Sequence, residues 1–265
     1  MRLGFVGTGT ITEAIVTGIL RSALPITAIH VSPRNAAIAA KLVDASPLVH
    51  VAADNQQVVD RSDLLFLAIR PQVAEAVVRE LHFRPDHHVV SLIAATDRQM
   101  LTDWIGQELR LTRAIPLPFV AEKSGVTAIF PPDPDVAAVF NALGSAIEAQ
   151  SEADYQLLGV ASAMMGTFYG ILDVSSRWLE AQGMPYAQAQ TYLAPLFASL
   201  AETAARPKAP SAEVLRAEFS TKGGLNEQVF TDFVANGGAA ALTQALDGVL
   251  ARIRGKEAAR LFDAG

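Results

Sequence analysis

Residues 1–12 read MRLGFVGTGTIT, an apolar run followed by a glycine-rich segment. The run 3–6 is short, apolar and ends at a glycine, which is typical of a buried strand. The residues GTGTIT, 7–12, follow at once and open a helical pattern over 13–21. A strand, a glycine-rich turn and a helix in direct succession predict a loop that binds a dinucleotide, with the pyrophosphate at the helix N-terminus.

Each glycine of this loop has a predicted task. Gly7 permits the tight turn after the strand, and Gly9 lets the backbone approach a pyrophosphate. The third glycine position of the fingerprint holds Thr12, so the match is incomplete. The alternative is a glycine turn that serves only strand-to-helix packing. The predicted cofactor-binding residues of the loop are Gly7, Thr8, Gly9, Thr10 and Ile11.

Strands and helices alternate beyond the loop. This alternation predicts an α/β Rossmann-type domain with a doubly wound, mostly parallel sheet over residues 1–150. The predicted strands are 3–6, 27–32, 49–52, 63–69, 88–94, 110–115 and 126–130. The predicted helices are 13–21, 36–42 and 71–81.

The second half of the chain has helical periodicity only, which predicts an all-α domain over 151–265. Its amphipathic helices offer more apolar surface than a monomer of this size would cover, which favours a homodimer or a higher assembly. The predicted helices are 155–162, 167–182, 186–205, 212–219, 224–236 and 239–253.

Composition excludes several classes. The chain has 265 residues, 51% of them apolar, and a net charge of −6, which argues against nucleic-acid binding. It has no cysteine, so thiolate chemistry and disulfides are absent. The N-terminus looks like a strand rather than a signal peptide, and no uninterrupted apolar run approaches the length of a membrane helix. We expect a cytoplasmic protein that does not enter membranes.

The residues at the end of the second predicted strand indicate whether the cofactor is NADH or NADPH. NAD-binding folds usually place an acid there for the ribose diol, but this chain reads HVSPRN over 30–35. Ser32, Arg34 and Asn35 suit a 2′-phosphate, so NADPH is favoured over NADH. The alternative for Arg34 is an ordinary solvated surface charge.

The segment FLAIRPQ, 66–72, ends another strand. Ligands in open α/β sheets lie beyond the carboxyl ends of the strands, so Ala68, Arg70 and Pro71 are expected to line the nicotinamide side. A loop that only reverses the chain is the alternative.

The motifs now resemble the pyrroline-5-carboxylate reductase family, essentially over the whole chain. They are GFVGTGTITEAIVTGIL, FLAIRPQ, SLIAATD, RAIP…SGVTAI, the helical second half and STKGGLN, in that order. The N-terminal motifs are shared with other Rossmann reductases, whereas the Gly-Gly segment after several helices is more particular to this family.

The resemblance implies a Rossmann domain followed by a helical dimerisation domain, with NADPH as hydride donor and a cyclic imine acid as substrate. It implies that Asn55 approaches the adenosine ribose and that Ala94, in SLIAATD, also contacts the cofactor. Arg70 and Pro71 stand where the family has Lys-Pro at the nicotinamide end. In the family, a Ser-Pro-Gly-Gly-Thr-Thr loop opens a helix whose N-terminus holds the substrate carboxylate, with a threonine hydroxyl near the imine nitrogen.

The chain departs from the family pattern beside the expected substrate site. After Pro116 the family has Asn-Thr-Pro, and this chain has Leu117, Pro118 and Phe119. The family's Ser-Gly-Pro-Ala-Tyr is Met-Gly-Thr-Phe-Tyr at 165–169. Lys222 replaces the proline of the carboxylate loop, and Asn226 replaces the threonine near the nitrogen.

The loop TKGGLN, 221–226, is the predicted substrate site. Backbone N–H groups at a helix N-terminus attract an anion, and glycine allows close approach. A helix cap with a solvated lysine is the alternative. The predicted substrate-binding residues are Thr221, Gly223, Gly224 and Leu225, and the predicted catalytic residues are Lys222 and Asn226.

The leading prediction is therefore an NADPH-dependent oxidoreductase that reduces pyrroline-5-carboxylate to L-proline by hydride transfer to the C=N carbon. A different imine, such as pyrroline-2-carboxylate or a precursor in specialised metabolism, is the alternative substrate. A hydroxyacid dehydrogenase would normally carry a catalytic lysine after the domain boundary, and residues 151–206 contain no lysine. A catalytically inactive NADPH-binding module is the last alternative.

The sequence also allows predictions about metal binding and about the burial of three side chains outside these motifs. The histidines show no spacing with acids that indicates a metal, so no metal is predicted. His87 and His88 precede a strand and are expected to be exposed. Trp178 is expected to fill a core.

Overall fold

The computed structural model describes residues 1–255. The chain folds as two compact units, Met1–Gly159 and the residues from Val160 onward. The boundary at residue 150 remains a prediction about where the cofactor-binding domain ends.

Within residues 1–255 the strands form an eight-stranded sheet with the order β3-β2-β1-β4-β5-β6-β7-β8. Neighbouring strands are parallel, except that β7 runs antiparallel to β6. The order reverses at β1, which lies between β2 and β4. This confirms the predicted doubly wound, mostly parallel Rossmann-type sheet. The strands are β1 (Arg2–Val6), β2 (Ala28–Val31), β3 (Val49–Val51), β4 (Leu64–Leu67), β5 (His88–Ser91), β6 (Arg110–Pro116), β7 (Gly125–Phe130) and β8 (Gly144–Glu148).

Helices connect the parallel strands and cover the sheet. They are α1 (Thr10–Leu20), α2 (Ala36–Ala45), α3 (Asn55–Asp60), α4 (Pro71–Arg79), α5 (Arg98–Ile105), α6 (Pro134–Asn141) and α7 (Glu152–Ser162), with a 3₁₀ helix at Pro118–Glu122. The sequence pattern did not predict α3, α5, α6 or β8. Asp133 caps α6 by accepting from the N–H of Asp135, and Pro134 is its first residue, so the Asp-Pro pair was a start signal that could have been used.

Strand β1 lies at the centre of the first core. Leu3 and Phe5 have no exposed surface, and the Phe5 ring stacks on Phe66 of β4 with centroids 4.7 Å apart. A side chain at Gly18 would overlap the backbone oxygen of Val120, so this glycine lets α1 pack closely on the 3₁₀ helix.

The second unit contains helices and turns between residues 160 and 255. Little of its surface is buried within the described chain, and Trp178 is 63% exposed, so the expectation that it fills a core is wrong for this unit. Glu152–Ala181 is long and apolar enough, by length and composition, to cross a membrane, and 6% of its apolar window is buried. The helices are α8 (Met164–Ala181), α9 (Tyr186–Ala205), α10 (Ala212–Glu218), α11 (Leu225–Ala235) and α12 (Gly238–Ile253), with α7 reaching into this unit.

His87 and His88 are buried, which corrects the expectation that both are exposed. His88 is the first residue of β5 rather than a residue before it. The Nδ1 atom of His87 accepts from the N–H of Arg84 at 3.0 Å. The Nε2 atom of His88 lies 3.3 Å from the Asp133 carboxylate without the geometry of a hydrogen bond. Burial lowers the pKa of both imidazoles below their ordinary value, so both are neutral at neutral pH.

We expect the free energy of unfolding to fall as the pH drops below about 6.5, the ordinary histidine pKa. Below that pH the unfolded chain binds protons that the folded chain with its lowered pKa rejects, so stability rises with pH. The His88→Gln variant, which cannot titrate, should show a flatter pH dependence of the urea-unfolding free energy than the wild type. His82→Gln, at an exposed ring, is the matched control. A wild-type slope in His88→Gln would contradict this assignment.

Candidate functional site

A cleft of about 410 Å³ opens at the carboxyl ends of β1, β2 and β4, where the strand order reverses. This is the position at which open α/β sheets bind ligands. Most of the predicted cofactor-binding residues lie together along it. Those that line the cleft are Gly7, Thr8, Gly9, Ser32, Arg34, Asn35, Asn55, Ala68 and Arg70.

Four other predicted cofactor residues do not line this cleft. Thr10 is the exposed first residue of α1, and Ile11 packs against the core. Pro71 is the exposed first residue of α4, after the cleft residue Arg70. Ala94 is exposed in the loop after β5. Their contacts with a cofactor remain predictions.

The two loop glycines have different structural constraints. Gly7 has φ of +103°, and a side chain there would overlap the carbonyl oxygen of Ala68. Gly9 begins α1 as its N-cap, and a Cβ atom there would meet nothing within 4 Å. A side chain at Gly7 would therefore strain the turn, whereas the space beside Gly9 is open to a ligand. This open cradle at a helix N-terminus fits a dinucleotide pyrophosphate.

Ser32 and Thr8 fix the loop to the end of β2. The N–H of Gly7 donates to Ser32 Oγ at 3.0 Å, and the Thr8 hydroxyl donates to the Ser32 carbonyl at 2.6 Å. The two hydroxyl oxygens are 3.1 Å apart. Ser32 is 1% exposed and still lines the cleft. Its hydroxyl accepts from the Gly7 N–H and thereby holds the loop. The Thr12 hydroxyl likewise donates to the Gly7 carbonyl, at 2.6 Å.

Arginine side chains supply the positive charge of the cleft. Arg34 and Arg70 are both exposed at its border, and within residues 1–255 neither forms an ion pair. Asn35 caps α2 by accepting from the N–H of Ile38 at 3.3 Å, which leaves its amide N–H₂ group to donate. These groups suit a phosphate at the end of β2.

The loop at 221–226 forms the start of α11 in the second unit. Gly223 has φ of +73°, which favours glycine, and Gly224 is the N-cap. The N–H of Gly224 donates to the Thr221 carbonyl at 2.7 Å. Lys222 is exposed and forms no ion pair in the described part of the chain, and Leu225 is also exposed. The predicted substrate residues thus lie together in one turn.

Two further donors of this loop are also used by the chain itself. The N–H of Gly223 donates to the Glu227 carboxylate at 2.6 Å, and the Asn226 amide nitrogen donates to the Phe219 carbonyl at 2.7 Å. Sequence reasoning missed Glu227. An acid three residues after the N-cap is the signal of a capping box, although here it contacts the residue before the cap.

His88 meets Asp133 and Asp135 in a group whose ligand atoms lie within 4.8 Å of one another and could hold a metal ion. Sequence spacing did not reveal it. Arg110 already contacts both carboxylates, Asp133 at 2.7 Å and Asp135 at 2.6 Å. The guanidinium therefore supplies the cation that these acids need.

The fold and the glycine cradle define a dinucleotide-dependent oxidoreductase of the Rossmann class. Residues 2–95 match the family model described as "NADP oxidoreductase coenzyme F420-dependent". The chain is 23% identical to a pyrroline-5-carboxylate reductase of Pseudomonas aeruginosa over 256 residues, 93% of each protein. The chain is thus similar to pyrroline-5-carboxylate reductases over most of its length, which confirms the resemblance found in the sequence.

Solved structures share the fold. The pyrroline-5-carboxylate reductase of Streptococcus pyogenes has a TM-score of 0.84 and 22% identity, covering 96% of this chain and 98% of that one. A reductive aminase of Aspergillus terreus, solved with NADPH and ethyl levulinate, has a TM-score of 0.58 and 20% identity, covering 76% of this chain and 73% of that one.

We expect Gly9→Val to weaken dinucleotide binding strongly without unfolding the protein. The valine side chain would fill the open space where the pyrophosphate approaches, weakening binding by roughly a hundredfold or more. Calorimetric titration of NADPH and thermal unfolding would measure the two effects.

Gly7→Ala is the contrasting variant. Its positive φ and the overlap with Ala68 should lower the free energy of unfolding by about 1–3 kcal/mol or more. A Gly9→Val variant that binds NADPH normally would show that the pyrophosphate lies elsewhere.

Proposed function

We propose that this protein reduces the C=N bond of a small cyclic imine with NADPH. The observation that carries the proposal is the open cradle at Gly9, bordered by Arg34 and Arg70 at the switch point of the sheet. The names of the relatives, pyrroline-5-carboxylate reductases of Pseudomonas and of Escherichia coli, support the reaction class.

NADPH is the proposed cofactor rather than NADH. Residues 32–35 hold no acid for a ribose diol, while the Arg34 guanidinium and the free Asn35 amide donors suit the 2′-phosphate. Asn55 lines the same cleft and suits the adenosine ribose. When bound, NADPH supplies the hydride that the C=N carbon receives.

The chain's own residues must orient the imine and stabilise its protonated form. A weakly basic imine is partly protonated near neutral pH, so a strong general acid is not required. The amide nitrogen of Asn226 donates to Phe219, which leaves Oδ1 as the acceptor of this side chain. We propose that Asn226 Oδ1 accepts from the N–H of the iminium. Lys222 adds a point charge for an anionic substituent.

The finer proposal is that the imine is pyrroline-5-carboxylate and the product L-proline. It rests on the relatives' names and on the predicted substrate loop of α11. A different imine is the second candidate. It is favoured by the apolar residues Leu117 and Phe119 after β6, the latter 42% exposed, and by Lys222 and Asn226 in the loop.

We propose further that the protein is a cytoplasmic homodimer assembled through its helical unit. Large apolar side chains are exposed along the helices of that unit, and a second copy would cover them. They include Phe168, Tyr169, Ile171, Val174, Trp178, Tyr192, Val229 and Phe233.

The reaction is tested by following NADPH oxidation with the purified full chain. We expect turnover with pyrroline-5-carboxylate, pyrroline-2-carboxylate or 1-pyrroline, and none with a keto acid. Turnover of the keto acid alone would indicate a hydroxyacid dehydrogenase. NADPH binding without turnover of any imine would indicate a binding module, and either result would contradict the proposed reaction.

The cofactor choice is tested by Arg34→Ala. Because a charge-assisted hydrogen bond contributes about 1.5–3 kcal/mol, NADPH affinity should fall about tenfold or more, with NADH affinity nearly unchanged. Arg70→Ala is the matched control and should affect both cofactors alike. Equal losses in Arg34→Ala would show that Arg34 does not contact the 2′-phosphate.

A further inference from the structure

Glu227 places a carboxylate where the sequence predicts that the substrate's carboxylate binds. Its Oε2 atom accepts from the N–H of Gly223 at 2.6 Å, and this N–H is one of the donors assigned to the substrate. The N–H of Gly224 is used as well, by the Thr221 carbonyl at 2.7 Å. The N-terminal turn of α11 therefore already holds one negative charge and has lost two of its predicted donors.

A second carboxylate at this turn meets two obstacles. It must compete with Glu227 for the Gly223 N–H, and it experiences repulsion from a like charge a few ångströms away. The helix N-terminus favours an anion, but Glu227 satisfies that preference internally. An imine without a free carboxylate meets neither obstacle.

We propose that Glu227 is a specificity-determining residue that discriminates against imines carrying a free carboxylate. The inference rests on the proposed imine reduction and refines its substrate: it favours the second candidate, a different imine, over pyrroline-5-carboxylate. The substrate class that fits this loop best is a cyclic imine whose carboxylate is absent or neutralised, for instance as an ester. Glu227 acts through charge on substrate binding, so its effect falls on KM rather than on kcat.

Lys222 has the opposite charge in the same loop and does not cancel this effect directly. It is exposed and forms no ion pair within residues 1–255, so Glu227 is not neutralised by it. The carboxylate of Glu227 instead accepts from the backbone N–H of Gly223. Glu227 therefore causes the discrimination against imines with a free carboxylate, and Lys222 only reduces this discrimination.

The test compares two substrates that differ by one carboxylate, pyrroline-5-carboxylate and 1-pyrroline. Glu227→Gln keeps an oxygen that can accept from Gly223 but removes the charge. We expect the ratio of kcat/KM for the acid to that for 1-pyrroline to rise about tenfold, through the KM of the acid. Glu213→Gln, another first-turn acid on the neighbouring helix α10, is the matched control and should leave the ratio unchanged.

A binding measurement keeps the inference testable without turnover. L-Proline and pyrrolidine, again differing by a carboxylate, are titrated calorimetrically into the NADP⁺-loaded wild type and Glu227→Gln. The variant should gain about tenfold in affinity for L-proline and nothing for pyrrolidine.

The possible results distinguish failure of the proposed role of Glu227 from failure of the proposed imine reduction. Imine turnover with an unchanged substrate ratio in Glu227→Gln overturns the role of Glu227 and leaves the reaction intact. Absence of turnover with every imine overturns the reaction, and the proline titration then decides Glu227 alone. A variant that binds L-proline no better than the wild type overturns the inference.

Discussion

The close contact between Gly7 and the end of β4 is the constraint on which the cofactor half depends. Only glycine fits there, because φ is +103° and any side chain would overlap the carbonyl oxygen of Ala68. This contact brings the ends of β1 and β4 together where the strand order reverses, and the next residues turn into α1. Ser32 and Thr8 then fix the turn to β2 with their hydroxyl groups. The cleft exists because these three strand ends are held at one point.

Most of this fold could be predicted from local sequence patterns. Buried parallel strands are continuous apolar runs, so β1, β4 and β5 could be found from their residues alone. The strand β8 could not, because Gly144–Glu148 is an edge strand, and its GSAIE sequence is neither apolar throughout nor rich in β-branched residues. The burial of His88 was also missed, since it depends on Asp133 and α6, which lie more than forty residues later in the sequence.

The predicted substrate loop shows a different limit of sequence reasoning. The pattern TKGGLN predicted a turn at a helix N-terminus, and the turn is there. Which acceptor each donor finds is a matter of side-chain geometry, and sequence spacing alone did not show that Glu227 reaches Gly223 or that Asn226 reaches Phe219. A pair of glycines identifies where an anion can bind, but the neighbouring side chains decide whether that place is still free.

The cofactor cleft of the first unit and the predicted substrate loop of the second therefore differ in how they use charge. The cofactor cleft keeps its donors open: Arg34 and Arg70 have no acidic partner in residues 1–255, so the positive charge is left for phosphates. In the loop before α11 the N–H of Gly223 donates to Glu227, and the N–H of Gly224 donates to the Thr221 carbonyl. Every dinucleotide cofactor carries phosphates. Open positive charge in the cofactor cleft therefore does not discriminate among imine substrates. Imines differ from one another in substituents such as a carboxylate, and on the proposed role of Glu227 a built-in negative charge at the predicted substrate loop would distinguish them.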